Sequence, residues 1–435
     1  MLKKITYPLQ SNNRNINIDA LSKQFNNLCI LNSNSEVNQH QHIYKDTLIA
    51  IGKTNELLVN SENGLKQLEE FYNAQKNNWL FGYLSYDLKN EIEQLNSNND
   101  DAIQFPLLHF FVPELVIEID KENTTLTYND SYTSEDRAMA IYKTATDYKD
   151  ENENNTIENN PNKIISKITR EEYIASVKKL KEHISKGDIY EVNFCQEFFS
   201  EQAHINPIDL YTKLNNISQA PFSAYYQTNN YHLLSSSPER FIKKTADQLI
   251  SQPIKGTAKR AADKNEDEQL KHELKNSEKE RSENVMIVDL VRNDLSKVAQ
   301  KGTVQVGELF GIYSFKQVHQ MISTISCTLK EDTTFIDIIK STFPMGSMTG
   351  APKHSAMQLI EKHESTKRGL YSGAVGYISP NGDFDFNVVI RSILYNANNN
   401  YLSFMVGSAI TNKSDAESEY DECLLKAKAM FEVLQ

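Results

Sequence analysis

With 435 residues, 39% of them apolar and 24% charged, the chain can bury a large core and has ordinary globular composition. Its net charge of -12 argues against a nucleic-acid surface or an anionic-membrane surface. No run approaches the roughly 18 apolar residues of a membrane helix, and Cys29, Cys195, Cys327 and Cys423 lack Cys-x-x-Cys or zinc spacing, which fits a reducing cytoplasm.

In chain order, residues 28–31 and 47–51 are short apolar runs of strand length. Residues 62–73 predict a helix, with Leu65, Leu68 and Phe71 three apart. The aromatic stretch 79–87 predicts a buried strand, and 107–119 a strand pair. Residues 149–162 turn polar and acidic and are expected to form a solvated linker. That divides the chain into an N-terminal region, 1–150, and a second region, 165–435.

Beyond the linker, Thr169 and Glu172 have capping-box spacing. The helix they open runs through Tyr173, Val177, Leu180 and Ile184 and stops at Gly187, a natural C-cap. Residues 189–196, 225–234 and 241–254 predict strands, with 235–240 turning between the last two. Residues 265–298 predict a long helical region and 418–434 a final helix.

One stretch, 251–260, places a lysine on a stiffened backbone. Pro253 cannot donate to a central ladder, so the segment belongs at a strand start or sheet edge. Gly256 permits a tight turn or a close approach. Lys255 between them is a solvated turn lysine or, if desolvated, a nucleophile. Two Glu-x-x-Glu pairs, Glu280/Glu283 and Glu419/Glu422, each lie on one helical face. Alone, each pair reads as a solvated helix face; meeting, they offer oxygen ligands to a hard divalent cation such as Mg2+.

These segments resemble the chorismate-binding enzyme family. The resemblance is carried by Ser236 to Phe241, Pro253 to Thr257, Glu280 to Leu295, Phe343 to Lys353, Tyr371 to Ile378, Phe386 to Arg391 and Glu419 to Lys428. It is dense over 165–435 and looser before it. It implies an α+β fold of two packed sheets flanked by helices, with the active site in a central cleft. It also implies that Glu283 and Glu422 hold Mg2+, with Glu280 and Glu419 beside it. Arg391 and Tyr371 would hold the substrate's carboxylate-bearing parts, and Thr257, Gly407 and Ala409 would complete the pocket. Glu239 would be the general acid and Lys255 the covalent nucleophile.

The resemblance points to the branch that aminates chorismate to 4-amino-4-deoxychorismate, on the way to p-aminobenzoate and folate. Lysine at position 255 marks that branch; anthranilate-forming members carry alanine there. The isochorismate-type members carry a water-activating lysine at the position of Glu191, which a carboxylate cannot replace. No Gly-x-Cys-x-Gly nucleophile elbow is present, so ammonia is expected from a separate glutamine amidotransferase subunit. Anthranilate synthase component I, or a non-catalytic relative binding chorismate or an amino acid, are the alternatives.

Two departures are visible. Many relatives carry histidine where Gln320 stands, and here His319 is one residue earlier. Adjacent strand side chains face opposite ways, so His319 is expected to point away from the site. Ala409 stands where the anthranilate enzymes have glycine. Asp289 and Asp294 are expected to brace a helix end. Residues 346–350 lack a full phosphate-loop pattern and are expected to turn near the substrate carboxylates.

Overall fold

The computed structural model describes residues 1–9, 16–35, 46–147 and 163–435. The expected linker, 149–162, lies outside the described residues. Among the described residues, two antiparallel sheets, of twelve and ten strands, pack face to face with helices on the outside. The expected α+β architecture is therefore the observed one.

Period-2 alternation divides the side chains between two cores. In the strand Asn27–Asn32, Cys29 faces the core between the sheets, whereas Leu28 and Ile30 face the helix-covered side. In Thr47–Ile51, Leu48 and Ala50 face inward and Ile49 and Ile51 outward. With both faces of the larger sheet covered, its strands read as nearly continuous apolar runs.

Both sheets take strands from before and after the linker. Leu108–Val112 belongs to the smaller sheet and Leu115–Ile119 to the larger, so the predicted pair at 107–119 is instead a crossing at Pro113. Residues 225–234 hold most of a hairpin, Phe222–Thr228 with Tyr231–Ser237, closed at Asn229 and Asn230. The helical stretch 265–298 is two helices, Lys264–Asn276 and Glu278–Val298, sharing Ser277 as the end of one and the N-cap of the next. The capping box at Thr169 and the left-handed stop at Gly187 form as expected.

Two further crossings position the site. The chain passes from Tyr231–Ser237 in the larger sheet to Arg240–Thr245 in the smaller through Pro238 and Glu239. It returns from Phe384–Val388 to Ser392–Asn396 through residues 389–391. The crossings are tied together: Val388 N–H donates to the Glu239 carbonyl at 3.0 Å, and Ser236 N–H to the Arg391 carbonyl at 3.1 Å. Glu239 and Arg391 thus sit where the sheets exchange strands. Among the described residues no helix is long and apolar enough to cross a membrane.

Candidate active site

Lys255 lies on the strand Ile254–Lys259, at the end of the smaller sheet and paired with Val318–Thr328. The register breaks between Ile254 and Thr257, and Gly256 sits in the break at φ +95°. A Cβ on Gly256 would lie 3.1 Å from Glu280 Oε2, so the glycine lets this strand press against the first turn of the Glu280 helix. Pro253 precedes the strand, as its missing N–H requires.

The Lys255 side chain is buried, and its ammonium donates to Glu191 Oε1 at 2.6 Å. Glu191, on the strand Glu191–Ser200, is 1% exposed, and among the described residues its Oε2 has no hydrogen-bond partner. Burial pulls the Lys255 pKa down, but Glu191, Glu283 and Glu239 together outweigh it and hold the amine above the ordinary lysine range.

Glu239 is also buried, and Ser347 Oγ donates to its Oε1 at 2.6 Å. Burial lifts its pKa to about 7, against the opposing pull of Ser347 and Lys255. Ser347 sits on the short turn Gly346–Met348, where a Cβ on Gly346 would lie 2.7 Å from Leu290 of the Glu280 helix. The glycine-bearing segment therefore serves as a hydrogen-bond donor to the acid at the sheet crossing.

The two Glu-x-x-Glu pairs lie in the opening turns of Glu278–Val298 and Ala416–Leu434. Between the helices stands the ammonium of Lys279, 3.4 Å from Glu419 Oε1 and 3.9 Å from Glu283 Oε1. Its pKa is pulled down by burial and raised further by Glu419, Glu283, Glu280 and Glu422. All four carboxylates thus act on one cation. Glu283 Oε1 is buried with no hydrogen-bond partner among the described residues, and burial lifts the Glu283 carboxyl to about 7. Glu422 pairs with Lys426 at 2.7 Å, and Lys426 also donates to the Gly407 carbonyl at 2.9 Å. Among the described residues no three acidic, histidine or cysteine side chains are already gathered into a closed metal cluster. An all-oxygen donor set, a buried carboxylate oxygen without a hydrogen bond and a lysine cation between the helices nonetheless fit a hard divalent ion.

The remaining predicted residues lie on the neighbouring strands or in the turns between strands. Arg391 holds φ +52°, a strained value for arginine. Among the described residues its guanidinium has no ion-pair partner, and burial lowers its pKa while Tyr371 and Glu422 oppose that. Tyr371 is buried, with its hydroxyl 3.7 Å from Cys195 Sγ. Gly407 and Ala409 pair with Cys195 and Asn193 of the Glu191 strand. A Cβ on Gly407 would lie 2.4 Å from Cys195 Sγ and 2.7 Å from Asn193 Oδ1. Thr257 is exposed and sits opposite Gln320.

His319 is buried away from this group, between Ser314 Oγ at 2.7 Å and Asp267 Oδ1 at 3.1 Å. Asp294 accepts from Lys353 and Lys297, bracing the Glu280 helix, while Asp289 pairs with Arg292 on the surface. Sequence reasoning did not find Ser347 as the partner of Glu239, Lys279 between the glutamates, or Glu191 as the partner of Lys255. Only the juxtaposition of Lys279 and Glu280 left a trace of these in the sequence.

A family model described as chorismate binding enzyme matches residues 28–432. Over 387 residues the chain is 35% identical to a protein of Oryza sativa subsp. japonica named probable aminodeoxychorismate synthase, chloroplastic, covering 81% of this chain. The chain spans only 43% of that relative. It is 33% identical to anthranilate synthase component 1 of Acetivibrio thermocellus, covering 82% of this chain and 75% of the relative. The crystal structure of anthranilate synthase component I from Streptococcus pneumoniae TIGR4 superposes with a TM-score of 0.77 at 25% identity, over 90% of this chain and 93% of that one.

Proposed function

The chain belongs to the chorismate-binding enzyme family, and we propose that it aminates chorismate to 4-amino-4-deoxychorismate. The observation that carries this is Lys255, a buried amine facing Glu191, Glu239 and Glu283. A solvated turn lysine would have none of these surroundings. A nucleophile has an acid within reach, a counter-charge and a water-poor setting.

Lys255 attacks C2 of the ring as the C4 hydroxyl departs with a proton delivered by Glu239, whose pKa near neutrality suits proton transfer in both directions. Ammonia then attacks C4 and expels the lysine. Arg391 offers a planar, permanently charged grip on a substrate carboxylate, with Tyr371 beside it and Thr257, Gly407 and Ala409 completing the pocket. Glu283 and Glu422, supported by Glu280 and Glu419, would hold Mg2+, which would offset the negative charge of the substrate's ring carboxylate. Ammonia comes from a glutamine amidotransferase partner. Four free, buried cysteines agree with a cytoplasmic setting.

Anthranilate synthesis is the second reading, favoured by the comparable identity to a relative of that name. Incubating the protein with chorismate, Mg2+ and ammonium, then adding aminodeoxychorismate lyase, separates the two. p-Aminobenzoate is the expected product. Anthranilate formed without the lyase overturns the proposal, and no turnover under any condition overturns it in favour of a non-catalytic binding protein.

A further inference from the structure

Glu191 has no part in the chemistry just described, yet it makes the closest contact to the reacting nitrogen. Three carboxylates act on the Lys255 charge: Glu191 from the strand Glu191–Ser200, Glu239 from the sheet crossing and Glu283 from the Glu280 helix. Only Glu191 is within hydrogen-bond distance of Nζ, at 2.6 Å. Glu239 accepts from Ser347, and Glu283 faces Lys279. Glu191 Oε1 accepts from Lys255, and its buried Oε2 accepts no hydrogen bond from any described residue.

We propose that Glu191 is the fixed counter-ion of the Lys255 nitrogen, holding the covalent lysine adduct in its ammonium form so that lysine can leave as a neutral amine. The inference rests on the amination reading above. The resting nitrogen is an ammonium. One of its protons passes through Glu239 to the departing C4 hydroxyl, which leaves as water while the N–C2 bond forms. The adduct is then a secondary ammonium, still carrying one positive charge. Ammonia bonds to C4, the N–C2 electron pair returns to nitrogen, and Lys255 departs as a neutral amine. The new C4 ammonium returns a proton through Glu239 to Lys255. Chorismate and ammonia have become aminodeoxychorismate and water, with no proton drawn from solvent.

The adduct is the demanding stage. A neutral secondary amine would have to leave as an amide anion, and a buried site favours that neutral form. A carboxylate in contact opposes the loss. The same contact holds the resting lysine protonated, so it favours the second step at the expense of the first.

E191Q is nearly isosteric and removes only the charge. In rapid-quench reactions with chorismate, Mg2+ and ammonium, intact-protein mass spectrometry reads the fraction of Lys255 carrying chorismate less water. In E191Q the adduct should form at least as fast as in wild type, and its ammonia-dependent breakdown should slow about 10- to 100-fold, the scale of a contacting charge on a buried group. The adduct should therefore accumulate, and the deficit should widen as pH rises and the adduct loses its proton. E191D, which keeps the charge at longer reach, should fall between. Unchanged adduct occupancy in E191Q, or loss of adduct formation itself, overturns the proposal. So does an equal loss of rate at every pH, which a structural role would give. If E191Q does not fold, E191D must still raise occupancy above wild type, and equality overturns the proposal. The wild-type product in the same reactions tests the amination reading separately. If it is not aminodeoxychorismate, both fall together; if it is and E191Q behaves as wild type, only the counter-ion role falls.

Discussion

Lys255→Ala would leave a carboxylate buried without its cation. Glu191 is 1% exposed, its Oε1 accepts from Lys255 and its Oε2 from nothing. Removing one member of a buried ion pair costs about 3–5 kcal/mol in general. K255A should therefore be destabilised by about 3–5 kcal/mol. Adding E191Q should recover most of the loss, because the orphaned charge is gone. Denaturant unfolding of wild type, K255A, E191Q and K255A/E191Q completes a double-mutant cycle. A loss for K255A below about 1 kcal/mol, unrelieved by E191Q, would refute a buried, directly bonded pair.

Two further outcomes follow from the same geometry. Glu239 and Glu283 both have carboxyls lifted by burial to about 7, so their contribution to stability is complete below the ordinary glutamate pKa and is lost as pH rises through 7. The melting temperature of metal-free protein should accordingly fall between pH 5 and pH 8. Added Mg2+ should raise it more at pH 8 than at pH 5.5, and E283Q should remove most of that increment; an increment at least as large at pH 5.5 would exclude cation binding at Glu283. Gly407→Ala would place a methyl group 2.4 Å from Cys195 Sγ and 2.7 Å from Asn193 Oδ1. Overpacking of that kind costs about 1–3 kcal/mol, read as a lower denaturation midpoint, and an unchanged midpoint would show that the two strands part easily there.

The sequence by itself determined the elements and the chemical vocabulary. The capping box at Thr169, the stop at Gly187, the edge strand after Pro253 and the left-handed Gly256 are local features, each set by the chemistry of a few adjacent residues. The two helical glutamate pairs, Glu239 and Lys255 were visible for the same reason, because each sits in a distinctive short motif. Which strands share a sheet was not local information. The run 107–119 has the composition of a strand pair, yet Pro113 marks a crossing between sheets, and two similar crossings carry Glu239 and Arg391 into register. The charge state of Lys255 was likewise beyond the sequence. Burial and carboxylates pull in opposite directions, and their balance depends on distances between residues up to 64 positions apart. Tertiary structure decided it by setting Glu191 at 2.6 Å from the amine, with both side chains buried. A lysine that sequence could describe only as a turn residue or a nucleophile thereby became a paired, buried cation.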